Sequence, residues 1–248
     1  MAKDLFSQQA SLYAKYRPGY PEDLIEYIIS NTNSRETAWD CATGNGQAAS
    51  LLTPYFKKIF ATDISAKQID EAVQDPAISY SLGNEEKTSF PDNAFDLIAV
   101  AQAYHWFNFD GFFREAVRVG KPGATVAVWC YGLLQAADES LNKMIRNFYS
   151  EKMGKYWDAE RKYVDEEYKT IPFNFSDSVS KDFHEDVQWT LDDLTGYFNT
   201  WSSLQHFIKA NNYNAATEFG KELKLVWNDD SKKEFSFPLF LRLGKIKK

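Results

Sequence analysis

Cysteine is scarce in this chain. Its two cysteines, Cys41 and Cys130, each sit in an apolar run that reads as a strand. Such a pair builds no disulfide framework, and a reducing cytoplasm is the expected compartment. Histidine is also sparse, at three residues, and no Cys/His spacing suggests zinc. No metal is expected. The longest nearly apolar run, Ala124–Leu134, falls far short of a membrane-spanning helix, and the opening MAKDLFSQQ lacks a secretion signal's basic-then-apolar pattern. No membrane partner is expected. Positive charge is in deficit: 28 Lys and Arg against 35 Asp and Glu leave a net charge of −7. That balance argues against nucleic-acid phosphates as a partner. There is no triphosphate loop, no hydrolase elbow, no repeat and no low-complexity tract.

What remains is a globular chain of 248 residues, rich in Phe and Tyr. Its first half alternates short apolar runs with helical patterns. Pro21, followed by Glu22 and Asp23, marks a helix start, and Leu24, Ile25, Ile28 and Ile29 follow at helical spacing. Strands are expected at Thr37–Cys41, Lys58–Thr62, Ala77–Leu82, Phe95–Ala101 and Ala124–Tyr131. Helices are expected at Gly46–Phe56, from Ser65 to Gln74, and at Phe109–Val119. This alternation predicts an α/β fold: a doubly wound, mostly parallel sheet with helices on both faces. Such sheets bind ligands at the carboxyl ends of their strands. Function is therefore sought just after residues 41, 62, 82, 101 and 131. Residues 135–169 then read as helical without strand signal. Strands at Phe183–Trp189 and Glu234–Leu243 flank helices at Leu191–Tyr197, Ser202–Lys209 and Ala215–Val226.

The loop after the first strand, Asp40-Cys41-Ala42-Thr43-Gly44-Asn45-Gly46-Gln47, places small residues where a backbone approaches a ligand closely. Gly44-Asn45-Gly46-Gln47-Ala48-Ala49 also fits a relaxed dinucleotide fingerprint. Asp40 argues for a cationic ligand, because its carboxylate would repel a diphosphate. S-adenosylmethionine has an ammonium, a sulfonium and no phosphate. Asp63, ending the second strand, suits a ribose diol, and Ile64 an adenine face. As a helix cap or turn residue, Asp63 would need no ligand.

At this point the chain resembles the class I S-adenosylmethionine-dependent methyltransferases of the type 11 group, and within them the trans-aconitate methyltransferase-like branch. Tyr13-Ala14-Lys15-Tyr16-Arg17-Pro18-Gly19-Tyr20-Pro21 is similar to that family's Y-x-x-x-R-P-x-Y-P signature. Asp40–Gln47 resembles its D-x-G-x-G-x-G-Q loop. Phe90-Pro91-Asp92-Asn93-Ala94-Phe95-Asp96 with Ala101-Gln102-Ala103-Tyr104-His105-Trp106-Phe107 is the most specific match. Arg118-Val119-Gly120-Lys121-Pro122-Gly123 and Thr200-Trp201-Ser202 match further motifs. Two positions depart. Ala42 replaces the first loop glycine, which is tolerable at negative φ, and Gly120 stands where Leu is usual.

The resemblance implies a Rossmann-like sheet of about seven strands with a helical cap. The expected organisation is one methyltransferase domain: 1–34 as an N-terminal lid, 35–132 as the cofactor core, 133–180 as a helical cap and 181–248 completing the sheet. S-adenosylmethionine is the implied cofactor. The backbone of Ala42, Gly44 and Gly46 would face its methionine end, with Asp40 drawing the ammonium, Asp63 the ribose and Ile64 the adenine. Glu86 is expected at the adenine amine, or Glu85 if the count slips by one. Gln102, Tyr13 and Arg17 are expected around the methionine end, with Arg17 alternatively pairing an acidic acceptor. His105 either orients or deprotonates the acceptor or packs beside Trp106. Trp106, Tyr131 and Trp201 are candidates for an acceptor wall. The implied reaction is in-line methyl transfer to a small-molecule acceptor, with a carboxylic acid as one class. An NAD(P)-dependent oxidoreductase and a non-catalytic S-adenosylmethionine-binding protein stand as alternatives.

Overall fold

The computed structural model describes residue 12, residues 15–227 and residues 231–248. Tyr13 lies outside the described residues, as does most of the expected lid segment before residue 15. The sheet runs β3 (Ile78–Leu82), β2 (Lys58–Asp63), β1 (Thr37–Cys41), β4 (Phe95–Ala101), β5 (Gly120–Tyr131) and β8 (Lys233–Lys245). The first five are parallel to one another; β8 is antiparallel to β5, and β7 (Ser176–Trp189) and the two-residue β6 (Gln135–Ala136) both pair with β8. Chain order reverses between β1 and β4, where a doubly wound sheet opens a crevice.

Alternation along the central strands builds two cores. Leu97, Ala99, Ala127 and Trp129 face α1 (Glu22–Ser30) and α2 (Gln47–Leu52). Ile98, Val100, Val126 and Val128 face α4 (Phe109–Val119), through Phe112 and Ala116. Both faces are covered, so β4 is a continuous apolar run broken only by Asp96. Asp96 is buried and has a structural task. Its Oδ2 accepts the N–H groups of Glu36 and Thr37, and its Oδ1 accepts Lys121 Nζ at 2.7 Å. It thereby fixes the entry of β1 beside β4 and β5.

Several expected bounds shift, each for a local reason. Helix α2 stops at Leu52 because Pro54 has no N–H, and the Ser50 carbonyl takes the Thr53 hydroxyl instead. Helix α3 (Ala66–Asp70) is shorter than expected, as Val73 N–H turns away to the Asn45 carbonyl of the first loop. Strand β5 starts at Gly120 through an irregular register against Phe95 and Leu97, so the Lys121-Pro122-Gly123 turn is absorbed into its first residues. Strand β7 begins at Ser176, seven residues before the expected Phe183. Its outer part is an edge strand whose exposed charges, such as Asp177, Lys181 and Asp182, hid it from a hydrophobic reading. Between β6 and β7 lie α5 (Glu139–Asn147), a π-turn at Phe148–Lys152, a 3₁₀ turn at Gly154–Tyr156 and α6 (Arg161–Asp165). Helices α7 (Leu191–Asn199), α8 (Ser202–Asn211) and α9 (Ala215–Trp227) precede β8. Among the described residues no helix is long and apolar enough to cross a membrane.

Asp96→Ala is expected to cost about 3 kcal/mol, because it strands Lys121 and two main-chain N–H groups. Burial would raise the Asp96 pKa, but the Lys121 and Thr37 hydrogen bonds win and hold it below the usual carboxylate range. Its stabilisation is therefore present above the ordinary carboxylate pKa and is lost as pH falls through the lower, folded value. Urea unfolding of Asp96→Ala and the parent at pH 7 and pH 3 checks both: the gap must narrow in acid.

Candidate active site

The first loop is shaped by alternate left-handed residues: Ala42 at φ 59°, Gly44 at 57° and Gly46 at 83°. Ala42 therefore does not adopt the negative φ that its Cβ prefers. The turn imposes the left-handed state, at a cost of roughly 1–2 kcal/mol for a residue with a Cβ. Gly46 is needed twice over, since a Cβ there would lie 2.1 Å from the Tyr80 hydroxyl oxygen. Hydrogen bonds lock the loop: Thr43 N–H to the Thr62 carbonyl, Gly44 N–H to Asp63 Oδ2 at 2.8 Å, and Gly46 N–H to the Thr43 carbonyl. Asp63 Oδ1 accepts the Ser65 N–H, and the Ser65 hydroxyl caps α3.

These loops line an open cleft at the carboxyl ends of β1 to β4. Its walls include Ala42, Thr43 and Gly44 after β1, Asp63, Ile64 and Ser65 at β2, Gly83, Asn84 and Glu85 after β3, and Gln102, Ala103 and Trp106 after β4. Four of the five expected strand ends meet here. The fifth does not, because Tyr131 is buried and its hydroxyl accepts Arg17 at 2.7 Å. Among the described residues the lining holds two carboxylates, Asp63 and Glu85, and no Lys, Arg or His.

Asp40 and Gly46 are not on the cleft wall. Asp40 is fully buried behind the loop, its Oδ2 accepting the Thr43 hydroxyl at 2.5 Å and its Oδ1 without a partner among the described residues. Burial, aided by the charge of Asp63 and opposed by the Thr43 hydrogen bond, pushes its pKa up to about 7. Glu86 is also off the wall, which corrects the expectation that favoured it. The Asn84 side chain accepts the N–H groups of both Glu86 and Lys87, and this turn swings Glu86 outward to accept Asn108 Nδ2. Glu85, only 5% exposed, is the acid that faces the cleft.

A second, smaller cavity adjoins the first and shares Gln102 and Trp106 with it. Arg17, His105, Trp157, Arg161, Trp201 and Ser202 complete it. Arg17 is thus a wall of this cavity rather than of the cleft. Its guanidinium donates to Tyr131 and to the Thr200 carbonyl and lies over the Tyr197 ring. Gln102 stands at φ 57° at the tip of β4, and its buried Nε2 has no partner among the described residues. His105 Nδ1 shares a hydrogen bond of 2.8 Å with the Tyr168 hydroxyl. Two successive left-handed residues, Glu167 and Tyr168, put that ring in place. Burial first, then the charges of Arg161 and Arg17, drive the His105 pKa down to about 3. The imidazole is neutral at physiological pH. Among the described residues no acid lines this cavity. Trp157, Arg161 and Tyr168 escaped the sequence reading because only the folded chain brings 17, 102, 105, 161 and 201 together.

The model of the methyltransferase domain family matches residues 39–128. A candidate methyltransferase of Dictyostelium discoideum is 32% identical over 98% of this chain and 95% of its own. The chain belongs to the class I S-adenosylmethionine-dependent methyltransferases. A solved structure of a candidate type II methyltransferase from Anaeromyxobacter dehalogenans superposes with a TM-score of 0.85 at 30% identity, covering 94% of this methyltransferase and 99% of that chain. A phosphoethanolamine N-methyltransferase of Haemonchus contortus, solved with phosphomonomethylethanolamine and S-adenosylhomocysteine, shares the fold at a TM-score of 0.51 and 15% identity, covering 98% and 57% of the two chains. The enzyme's cofactor is S-adenosylmethionine, and the oxidoreductase alternative falls. The residues present fit it: among the described residues the cleft offers a phosphate-free cation two carboxylates and no basic group, beside an unpartnered amide donor on Gln102.

Ala42→Gly is expected to stabilise the methyltransferase by roughly 0.5–1 kcal/mol, the relieved strain less glycine's added chain entropy. Gly46→Ala should act the other way and also weaken cofactor binding. Urea midpoints and S-adenosylhomocysteine titration of the two variants check this.

Proposed function

We propose that this enzyme methylates a small organic molecule that carries a carboxylate. The observation that carries the reading is the opposite lining of two adjoining cavities: among the described residues, carboxylates without basic groups around the cleft and guanidiniums without acids around the second cavity. The first suits a cationic nucleoside and the second an organic anion. The motif likeness to the trans-aconitate methyltransferase-like branch supports the same acceptor class.

In this reading Asp63 accepts the ribose hydroxyls, Ile64 covers one adenine face and Glu85 takes the adenine amine in place of Glu86. The main chain at Ala42 and Gly44 bounds the methionine end, and Gly46 makes room for that turn. Asp40 acts from behind it, as a buried charge that favours the ammonium without touching it. Gln102 stands at the junction, its amide aimed where cofactor and acceptor meet. Arg17, Trp106 and Trp201 form the acceptor's walls, and Tyr131 holds Arg17 in place.

When bound, S-adenosylmethionine supplies an electrophilic methyl on a sulfonium. The chain's own contribution is alignment and exclusion of water, which is worth roughly 7–11 kcal/mol in well-oriented systems. A carboxylate is ionised at neutral pH and needs no base. His105, neutral and bonded to Tyr168, then serves as a fixed hydrogen-bonding group rather than a proton acceptor.

The test is methyl transfer from labelled S-adenosylmethionine across small carboxylic acids, phenols and amines. Labelled product is expected from acids; turnover confined to amines or uncharged phenols would overturn the acceptor class. Asp40 adds a pH signature. A cation near a carboxyl whose pKa is about 7 lowers that pKa, so binding releases a proton and tightens as pH rises from 6 to 8. Calorimetry with S-adenosylmethionine in buffers of different ionisation heat should show this release, and Asp40→Asn should abolish it.

A further inference from the structure

The second cavity holds two guanidiniums, but they are not equivalent. Arg17 spends its terminal nitrogens on the chain: Nη1 donates to the Tyr131 hydroxyl and Nη2 to the Thr200 carbonyl. Arg161 is bonded only through Nε, which donates to the Tyr149 hydroxyl at 2.8 Å and to Asp165 Oδ1 at 3.2 Å. Its two terminal nitrogens have no hydrogen bond to any described residue. The group is nonetheless held still. Its guanidinium carbon lies 4.7 Å from the Trp157 ring centroid and 5.3 Å from that of Tyr149. Only 19% of the side chain is exposed, on the wall of the cavity.

Asp165 does not cancel this charge at the cavity. Its side chain is 47% exposed to solvent, and the same oxygen also accepts the Tyr149 hydroxyl. A largely buried cation with open donors is expensive unless a ligand completes it. A planar guanidinium with both terminal nitrogens open is the fork that a carboxylate matches. Around it stand three indoles, Trp106, Trp157 and Trp201, and a neutral imidazole. These fit the flat or apolar body of a small acid and offer no second site for its charge.

We propose that Arg161 is the specificity-determining residue of this methyltransferase: its terminal nitrogens take an acceptor carboxylate as a forked pair and seat the acceptor's body among the tryptophans. This rests on the acid-acceptor reading given above and assigns it to one side chain. Arg161 sits in the segment between β6 and β7, outside the residues that the methyltransferase domain model matches. Arg161 is also not on the wall of the cofactor cleft, so a change there leaves that lining in place.

The experiment uses the full chain loaded with S-adenosylhomocysteine. Succinate, fumarate, benzoate and phenylacetate are each titrated beside the corresponding amide, and the same compounds are assayed with labelled S-adenosylmethionine. The parent is expected to bind at least one acid tenfold or more above its amide. Arg161→Met should lower that acid's affinity by roughly 10- to 100-fold and bring acid and amide within about twofold, with the loss appearing in KM more than in kcat. S-adenosylhomocysteine affinity should stay within about twofold of the parent, which also reports an intact fold. Should Arg161→Met not fold, Arg161→Lys keeps stem and charge without the fork, and an acid affinity unchanged in it overturns the assignment. Acid selectivity retained by Arg161→Met overturns the anchor while leaving the acid reading standing. A parent that binds none of the acids overturns both.

Discussion

The Asp63 carboxylate joins the two loops on which the site depends. One oxygen takes Gly44 N–H from the turn after β1, and the other takes Ser65 N–H from the turn after β2. Parallel strands leave their loops independent unless something ties them. Here the tie is a charge-assisted pair, stronger than an ordinary hydrogen bond. Once it is made, the left-handed steps at Ala42, Gly44 and Gly46 are dictated, Tyr80 closes against Gly46, and Asp40 is sealed behind the turn. The cleft is the space that this arrangement leaves at the reversal of strand order.

Charge then divides the site. Acids surround the cleft, and arginines the cavity beside it, with Gln102 and Trp106 as the common wall. Neither set of charges is neutralised by the other, since they lie on opposite sides of that wall. The neutral state of His105 is a product of the same division: burial and two guanidiniums leave the ring no room for a proton. The chain thus presents one negative and one positive receptor within the reach of a single amide side chain.

Much of this was legible in the residues. β1 and β4 fall at their expected bounds, each a largely apolar run with a single Asp, and α4 matches its expected span, because both faces of a parallel sheet are covered there. The cleft followed from where those strands end. What was not legible depends on contacts that no local pattern encodes. The outward turn of Glu86 is set by the Asn84 side chain, and the left-handed Ala42 by a turn normally built on glycine. The outer half of β7 is too polar to read as a strand and forms because β8 offers it an edge. Arg161 and Tyr168 gain meaning only when α6 and the residues after it fold back over the tip of β4.

The opposed linings bear on how a catalytic cycle would end. Transfer to a carboxylate oxygen, the acceptor proposed above, would turn a sulfonium into a thioether and an anion into an ester, so that one unit of charge would be lost on each side of Gln102. The attraction that would assemble such reactants would then be cancelled in both compartments together. On that proposal, departure of the spent pair would be favoured by the electrostatics of the wall between them.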